Sequence, residues 1–209
     1  MAINSAKKSL PLKQVQKLPK VLIIGDSISM GYTPVVKKLL KARAMVTHPK
    51  NNCQHTQKGI LKIDDWIGNR IYKVIYFNFE LHDLKHVDPV TQKPSKKAED
   101  PLMTALKDYE ANLNQIVSKL KATGATLIFA TTTPVPEKST PLRDPEMPPK
   151  YNAVAVKVMK EQKVEVDDIY DFVFPQNEKI QETNNVHYTT DGYKIIGERV
   201  AATISNYIE

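Results

Sequence analysis

The first candidate for chemistry is a serine that follows a short apolar run. Residues 21–24 (VLII) end at residues 25–29 (GDSIS), where a strand is expected to give way to a helix. A serine in such a turn exposes its hydroxyl at the carboxyl edge of a sheet, where helix N–H groups face any oxyanion formed there. The same residues fit a plain turn in which Asp26 or Ser27 caps the helix. Taken alone, the segment fits both interpretations about equally.

A serine nucleophile needs a base that takes its proton, and the chain offers five histidines. His187 is the best placed, because it lies in the stretch NNVHYT directly before the last helical pattern. The other histidines flank predicted strands or lie in a polar loop: His48, His55, His82 and His86. We therefore predict that Ser27 and His187 form a nucleophile–base pair.

Five short apolar runs predict the strands that would position these residues. They lack a regular alternation of apolar and polar residues, which is typical of a parallel sheet covered by helices on both faces. The runs are residues 21–24, 44–47, 74–79, 125–131 and 164–170. Helical patterns lie between and after them, over 59–69, 106–120 and 193–207. This order predicts a three-layer α/β/α domain.

One domain accounts for the patterned part of the chain. Residues 1–19 are polar, rich in lysine and without periodicity, and we interpret them as a flexible N-terminal arm; residues 20–209 form the domain. Two proline-bearing loops, 85–100 and 134–149, follow the third and fourth predicted strands. Because ligands bind outside the carboxyl ends of the strands in an open parallel sheet, these loops are expected to border the site.

Composition and charge argue against several classes of protein. The 30 basic and 23 acidic side chains give a net charge of +7, but the lysines are scattered, which does not indicate nucleic-acid binding. The single cysteine, Cys53, excludes an internal disulfide, and without a metal-ligand spacing no metal or cofactor is predicted. No apolar run approaches the roughly 20 residues that span a bilayer. With no export signal in residues 1–20, the compartment stays open: cytoplasmic, or periplasmic or secreted if a leader was removed.

Four stretches, in this order and spacing, resemble the SGNH (GDSL-type) hydrolases over roughly residues 20–209. They are IGDSISMGYTP, NNCQHT, FNFELHDLK and ATTTPVPE, and together they resemble a bacterial subgroup of sugar-ester hydrolases. The resemblance implies a flavodoxin-like parallel sheet of about five strands, with Ser27 as the nucleophile and His187 as the base.

The third of these stretches departs from the family pattern. The family has Gly-x-Asn-Asp, in which the asparagine donates to the oxyanion, whereas this chain has Glu80-Leu81-His82-Asp83. A ring N–H of His82 is expected to take over that role if the tautomer is right. Asn78 is a less suitable substitute, since it lies four residues earlier within the predicted strand.

Two further departures concern the second stretch and the terminal segment NNVHYT, which carries His187. The family glycine that donates a backbone N–H is missing from the loop 52–59, where Gln54 is the predicted donor. Asn184 stands where the family has the aspartate that orients the histidine. An asparagine can still accept the histidine's hydrogen bond through its carbonyl oxygen, but it carries no charge.

The resemblance implies a metal-independent serine ester hydrolase that removes short acyl groups, acetyl above all, from a carbohydrate. Asp26, Asn78 and Glu80 are the predicted substrate contacts. Two alternatives stay open. A thioesterase or lysophospholipase would need a long apolar groove, and a catalytically weak carbohydrate-binding relative would agree with the three departures. The sequence does not indicate an oligomeric state.

Overall fold

The computed structural model describes residues 17–209, and a five-stranded parallel sheet runs through this part of the chain. The strand order is β2-β1-β3-β4-β5. The strands are β1 (Lys20–Ile24), β2 (Met45–Thr47), β3 (Val74–Phe77), β4 (Thr126–Ala130) and β5 (Glu165–Asp167). The predicted parallel sheet of about five strands is therefore confirmed. The predicted arm lies almost wholly outside the described residues and stays a prediction.

Helices cover both faces of the sheet, which confirms the three-layer arrangement. The helices α1 and α7 pack on one face, and α2, α3 and α4 pack on the other. The helices are α1 (Ser27–Leu39), α2 (Thr56–Ile67), α3 (Leu106–Lys121), α4 (Met147–Glu161), α5 (Ile169–Val173), α6 (Asn177–Ile180) and α7 (Thr190–Ser205).

Successive residues of the central strands contribute to two separate cores. In β1, Val21 and Ile23 pack with α1 and α7, whereas Leu22 and Ile24 pack with α2, α3 and α4. All four side chains are buried, because strand residues alternate between the two covered faces of the sheet. This explains why the apolar runs in the sequence lack alternation.

Close packing of α1 against α7 brings the two predicted catalytic segments together. A Cβ atom on Gly31 would lie 2.2 Å from Cε1 of Tyr193, and one on Gly197 would lie 2.6 Å from Cβ of Val35. Side chains at these two glycines would therefore push the helices apart. Since α1 begins at Ser27 and α7 begins shortly after His187, the helix contact sets the distance between these residues.

The structure differs from the sequence prediction in the segment before β5. Residues 134–149 were expected to form a loop, but α4 begins at Met147 and includes Pro148 and Pro149 in its first turn. Proline is tolerated there, because the first N–H groups of a helix have no partner within the helix. Within residues 17–209, no helix combines the length and the apolar character of a membrane span.

Candidate active site

Ser27 is the first residue of α1 and lies at the carboxyl edge of the sheet, directly beyond β1. The preceding residue caps the helix: Oδ1 of Asp26 accepts a hydrogen bond from the N–H of Ile28 at 2.9 Å. Since Asp26 provides the cap, the hydroxyl of Ser27 is available for another partner. Its Oγ lies 2.9 Å from Nε2 of His187. The structure thus brings the predicted nucleophile and base into hydrogen-bond contact.

The segment that carries His187 is a tight loop held by main-chain hydrogen bonds. The N–H of Glu182 donates to the carbonyl of His187 at 2.9 Å, and the N–H of Thr189 donates to the carbonyl of Ile180 at 2.9 Å. The hydroxyl of Thr189 then accepts from the N–H of Gly192 and caps α7. The histidine is therefore fixed on both sides by backbone contacts.

A side-chain amide and a carboxylate continue the hydrogen-bond chain beyond His187. Nδ1 of His187 lies 2.8 Å from Oδ1 of Asn185, and Nδ2 of Asn185 donates to Oε2 of Glu182 at 2.8 Å. A carboxylate only accepts, so Glu182 turns the amide N–H₂ toward itself and the carbonyl oxygen toward His187. The proton of the neutral imidazole then lies on Nδ1, which leaves the Nε2 lone pair facing Ser27.

The prediction that Asn184 orients the histidine is wrong, because Asn185 takes that place. Asn184 is exposed and has a left-handed backbone with φ of 56°. Asparagine is one of the few side chains that tolerate this conformation. The turn at Asn184 directs the side chain of the following residue toward His187. Spacing along the sequence does not distinguish two adjacent asparagines.

Most backbone N–H groups of the loop before α2 already have an acceptor. The N–H of Cys53 donates to the carbonyl of Gly25 at 3.1 Å, and that of Gln54 donates to Oδ1 of Asn52 at 2.8 Å. The predicted donor Gln54, which has a φ of 60°, is therefore engaged with Asn52. Among the amides of residues 53–56 in the described chain, that of His55 is the one without an acceptor.

His82 lies in the turn that follows β3, and Nζ of Lys85 contacts its Nδ1 at 2.8 Å. Burial, followed by the charges of Lys85 and Arg143, lowers the pKa of His82 to about 2. The imidazole is therefore neutral at neutral pH. The charges of Arg143 and Lys85 also oppose the rise in pKa that burial causes at Asp26, so both cations lie near the turn that carries Ser27.

The three predicted substrate contacts have structural roles, and two of them, Asp26 and Asn78, also line the cavity beside the serine turn. Asp26 is 3% exposed and caps α1. Glu80 is fully buried, and burial, followed by the charge of Asp83, raises its pKa well above the ordinary value, which disfavours the charged form. The amide nitrogen of Asn78 donates to the carbonyl of Ala130 and to Oγ1 of Thr132, which joins the ends of β3 and β4. With both N–H groups used, Asn78 is not an oxyanion donor either.

Asp83 joins two loops of the site and was not singled out from the sequence. Its carboxylate accepts from the N–H of Thr56 at 3.1 Å and from the hydroxyl of Thr56 at 2.6 Å. Thr56 begins α2, directly after the loop of His55, and Asp83 follows His82. Burial raises the pKa of Asp83 to about 6, although the hydrogen bonds from Thr56 oppose that rise. An ionised Asp83 thus links the loop that precedes α2 to the turn that carries His82.

Two other chemical possibilities lie outside this arrangement. Cys53 is fully buried, and burial raises its pKa to about 12, so the thiol stays protonated at neutral pH. Within residues 17–209, no three histidine, cysteine, aspartate or glutamate side chains are grouped as metal ligands would be. The chemistry that the geometry supports is therefore that of the half-buried hydroxyl of Ser27, held against an imidazole.

Known structures share this fold. The lipase/acylhydrolase from Enterococcus faecalis gives a TM-score of 0.75 at 16% identity, and the match covers 92% of this chain and 98% of that one. An acetylxylan esterase from Geobacillus stearothermophilus gives 0.69 at 17% identity, with coverages of 89% and 94%. A GDSL-like lipase from Bacteroides thetaiotaomicron gives 0.68 at 17% identity, with coverages of 95% and 92%. No curated protein sequence matches the chain.

Fold and site together define a three-layer hydrolase with a serine–histidine pair at the carboxyl edge of its sheet. The sequence model of the GDSL-like lipase/acylhydrolase family matches residues 72–200, which include His82 and His187. The chain belongs to this family. It is a carboxylic ester hydrolase, as the resemblance implied.

Proposed function

We propose that this chain removes acetyl groups from a carbohydrate, with Ser27 as the nucleophile and His187 as general base and acid. The observation that carries the proposal is the 2.9 Å contact between Oγ of Ser27 and Nε2 of His187, with the far nitrogen held by Asn185. A neutral imidazole in this orientation accepts the hydroxyl proton when the serine attacks.

In the first half of the reaction, Oγ of Ser27 bonds to the ester carbonyl carbon while its proton passes to Nε2 of His187. The tetrahedral oxyanion is stabilised by the N–H of Ser27, the backbone N–H of His55, and a ring N–H of His82. The intermediate collapses, the bond to the alcohol oxygen breaks, and His187 returns the proton to the departing alcohol. An acetyl ester of Ser27 remains.

In the second half, His187 takes a proton from water, and the hydroxide that forms bonds to the acyl carbon. The bond to Oγ of Ser27 then breaks, the serine regains the proton from His187, and acetate leaves. Asn185 stabilises the imidazolium formed in each half by accepting from Nδ1, and Glu182 keeps the amide of Asn185 in the accepting orientation.

The polarity of the border of the site supports a short acyl group on a polar alcohol. The segments that follow β3 and β4, residues 85–100 and 134–146, are rich in charged residues and prolines, so they offer a long acyl chain little apolar surface. A cavity of about 20 Å³ lies beside the serine turn, but its lining includes Asp26 and Asn78 and neither Ser27 nor His187, so it does not set the length of the acyl group. Two structurally similar proteins are acetylxylan esterases by name, which supports an acetylated carbohydrate as the substrate.

The test is covalent labelling by a serine-directed phosphonate, followed by peptide mapping. We expect stoichiometric labelling of Ser27 and none in Ser27→Ala, while Ser29→Ala is labelled like the parent. A parent enzyme that resists the phosphonate, or carries it on another residue, would contradict the mechanism.

Substrate size is tested separately, with nitrophenyl acetate and nitrophenyl octanoate under matched conditions. We expect a higher kcat/KM for the acetate by at least about tenfold, because the polar segments that border the site give additional methylenes no apolar surface to pack against. A preference for octanoate would favour the thioesterase or lysophospholipase interpretation.

A further inference from the structure

His82 and Lys85 occupy a turn whose backbone is fixed by contacts with two other loops. Nε of Arg143 donates to the carbonyl of Leu81 at 2.6 Å, and the N–H of Met103 donates to the carbonyl of Lys85 at 2.7 Å. Lys85 is half-buried, and Nδ1 of His82 lies 2.8 Å from its Nζ. The contact between the two side chains is therefore part of a well-supported turn.

The chemistry of this contact determines where the proton of His82 lies. An ammonium group has three donors and no acceptor, so Nδ1 of His82 accepts and carries no hydrogen. A neutral imidazole with a bare Nδ1 has its proton on Nε2. Because burial and the neighbouring cations keep the ring neutral, this is the single tautomer that satisfies Lys85.

We propose that Lys85 is a positioning residue of the oxyanion hole: its ammonium group occupies Nδ1 of His82 and thereby keeps the proton on Nε2, which donates to the oxyanion. The inference rests on the proposed function, since it requires an oxyanion at Ser27. The charge of Lys85 also polarises the ring and strengthens Nε2–H as a donor. An asparagine in place of His82 would have its donor built into the amide and would need no such partner.

The proposal implies a dependence on pH at the basic side. Burial and the charge of Arg143 lower the pKa of Lys85 to about 8, against the opposing effects of Asp26 and Asp83. A neutral amine can accept as well as donate, so above this pH Nδ1–H becomes an allowed tautomer of His82. The titratable groups around Lys85 and His82 lie on four segments of the chain. They are Asp26, His55 and Lys58, Asp83, and Arg143.

The experiment is a double-mutant comparison on nitrophenyl acetate. Lys85→Met is made in the parent and in the His82→Asn background, with Lys138→Met, an exposed lysine in the loop after β4, as a control of equal charge change. We expect Lys85→Met to lower kcat about tenfold in the parent, with little change in KM. This is less than the roughly 10²–10³-fold cost of losing an oxyanion donor, since part of the population keeps the right tautomer.

In the His82→Asn background, Lys85→Met should change kcat by less than about twofold, because the amide donor does not depend on Lys85. The fall of kcat above pH 8 should likewise be present in the parent and absent in His82→Asn. Lys85→Arg, which keeps a donor toward Nδ1, should retain most of the activity. An equal fall in both backgrounds, or no fall in the parent, would overturn the proposal.

The tautomer is also measured without substrate, by ¹⁵N NMR of the His82 ring. The parent should show a protonated Nε2 and a bare Nδ1, and Lys85→Met should show both tautomers. A protonated Nδ1 in the parent would refute the role of Lys85 even if Ser27 is labelled by phosphonate. Conversely, a failure of Ser27 labelling would refute the proposed function and leave the tautomer result unchanged.

Discussion

Two serines on the first turn of α1, Ser27 and Ser29, each contact a histidine. Oγ of Ser27 is 2.9 Å from Nε2 of His187, and Oγ of Ser29 is 2.7 Å from Nε2 of His48. By distance alone, the second pair is the better one. The surroundings of the two hydroxyl groups reverse that ranking.

The hydroxyl of Ser29 is already engaged. It donates to the carbonyl of Asp26 at 2.7 Å, so two acceptors, this carbonyl and His48, compete for one proton. Ser29 is also 2% exposed, whereas Ser27 is half-buried and its hydroxyl contacts His187. A nucleophile needs a free approach for the ester carbon and a proton that only the base receives.

The far nitrogens of the two histidines differ as well. Nδ1 of His48 lies 2.7 Å from the carbonyl of Pro49, the adjacent residue, whereas Nδ1 of His187 faces the amide of Asn185. Burial, and then Lys37, lowers the pKa of His48. Both His48 and His187 have an acceptor at Nδ1 that fixes the orientation of the ring, so a fixed ring does not identify the base. The comparison teaches that accessibility, and a hydroxyl proton with a single acceptor, identify the nucleophile.

The largest effect should separate the two serines. Ser27→Ala should lower kcat/KM for nitrophenyl acetate by several orders of magnitude, because it removes the atom that forms the acyl bond. Ser29→Ala should keep kcat/KM within about tenfold. It should lower the free energy of unfolding by about 1–2 kcal/mol instead, since it breaks buried hydrogen bonds.

Steady-state kinetics and urea denaturation of both variants provide the check. Adding His187→Ala to Ser27→Ala should cause little further loss, because the two residues act as a unit. If Ser29→Ala proved to be the inactive variant, the assignment of the two pairs would have to be exchanged.

The fold was largely predictable, because it depends on patterns that are local in the sequence. The run 21–24 is apolar at every position, since alternate residues enter different cores, and this is visible without coordinates. The helix α4 was not predicted at all, because prolines 148 and 149 in its first turn resemble a loop when the beginning of a helix is not known.

The site was less predictable where it depends on backbone conformation or long-range contacts. The left-handed φ of Asn184 moves the orienting role to Asn185, and no spacing rule contains that angle. The pairing of Ser29 with His48 and the bond between Asp83 and Thr56 join residues 19 and 27 positions apart. Neither residue type nor spacing indicates which distant loops meet.

A smaller effect should distinguish the two adjacent asparagines. Asn185→Ala should lower kcat about 10²-fold, because His187 loses the acceptor that fixes its tautomer; the loss of the correct tautomer costs about 10⁴-fold in the serine-protease template. Asn184→Asp, which keeps a side chain tolerant of the left-handed backbone, serves as the control and should leave kcat nearly unchanged. Equal losses in both variants would mean that the whole turn, rather than Asn185, supports His187.

A charge change sharpens this test. Asn185→Asp alone places a second carboxylate beside Glu182, where the parent has a hydrogen bond of 2.8 Å, and the repulsion should disturb the turn. Combined with Glu182→Gln, the new carboxylate is relieved of that repulsion and can stabilise the imidazolium of His187. We expect the double variant to exceed Asn185→Asp in kcat and to shift the acidic limb of its pH–rate profile upward. A double variant no faster than Asn185→Asp would argue that charge at this position is unimportant.

The smallest effect concerns the two loops that carry the proposed oxyanion donors, which Asp83 holds together. The pKa of Asp83 is about 6, so its carboxylate becomes protonated as the pH falls below 6. The protonated carboxyl is a weaker acceptor for the N–H and the hydroxyl of Thr56, and the two loops should therefore loosen. We expect the ratio of kcat in the parent to kcat in Asp83→Asn to fall a few-fold, about three to ten, between pH 7 and pH 5.

The free energy of unfolding should change in the opposite direction to kcat. A carboxyl whose folded pKa lies above its ordinary value of 3.8 binds its proton more readily in the folded state, so the free energy of unfolding of the parent should rise, relative to Asp83→Asn, as the pH falls from about 6 toward 4. Parallel pH series of kcat and urea denaturation measure both quantities. A ratio of kcat that stays constant with pH would show that the donors around Ser27 do not depend on the charge of Asp83.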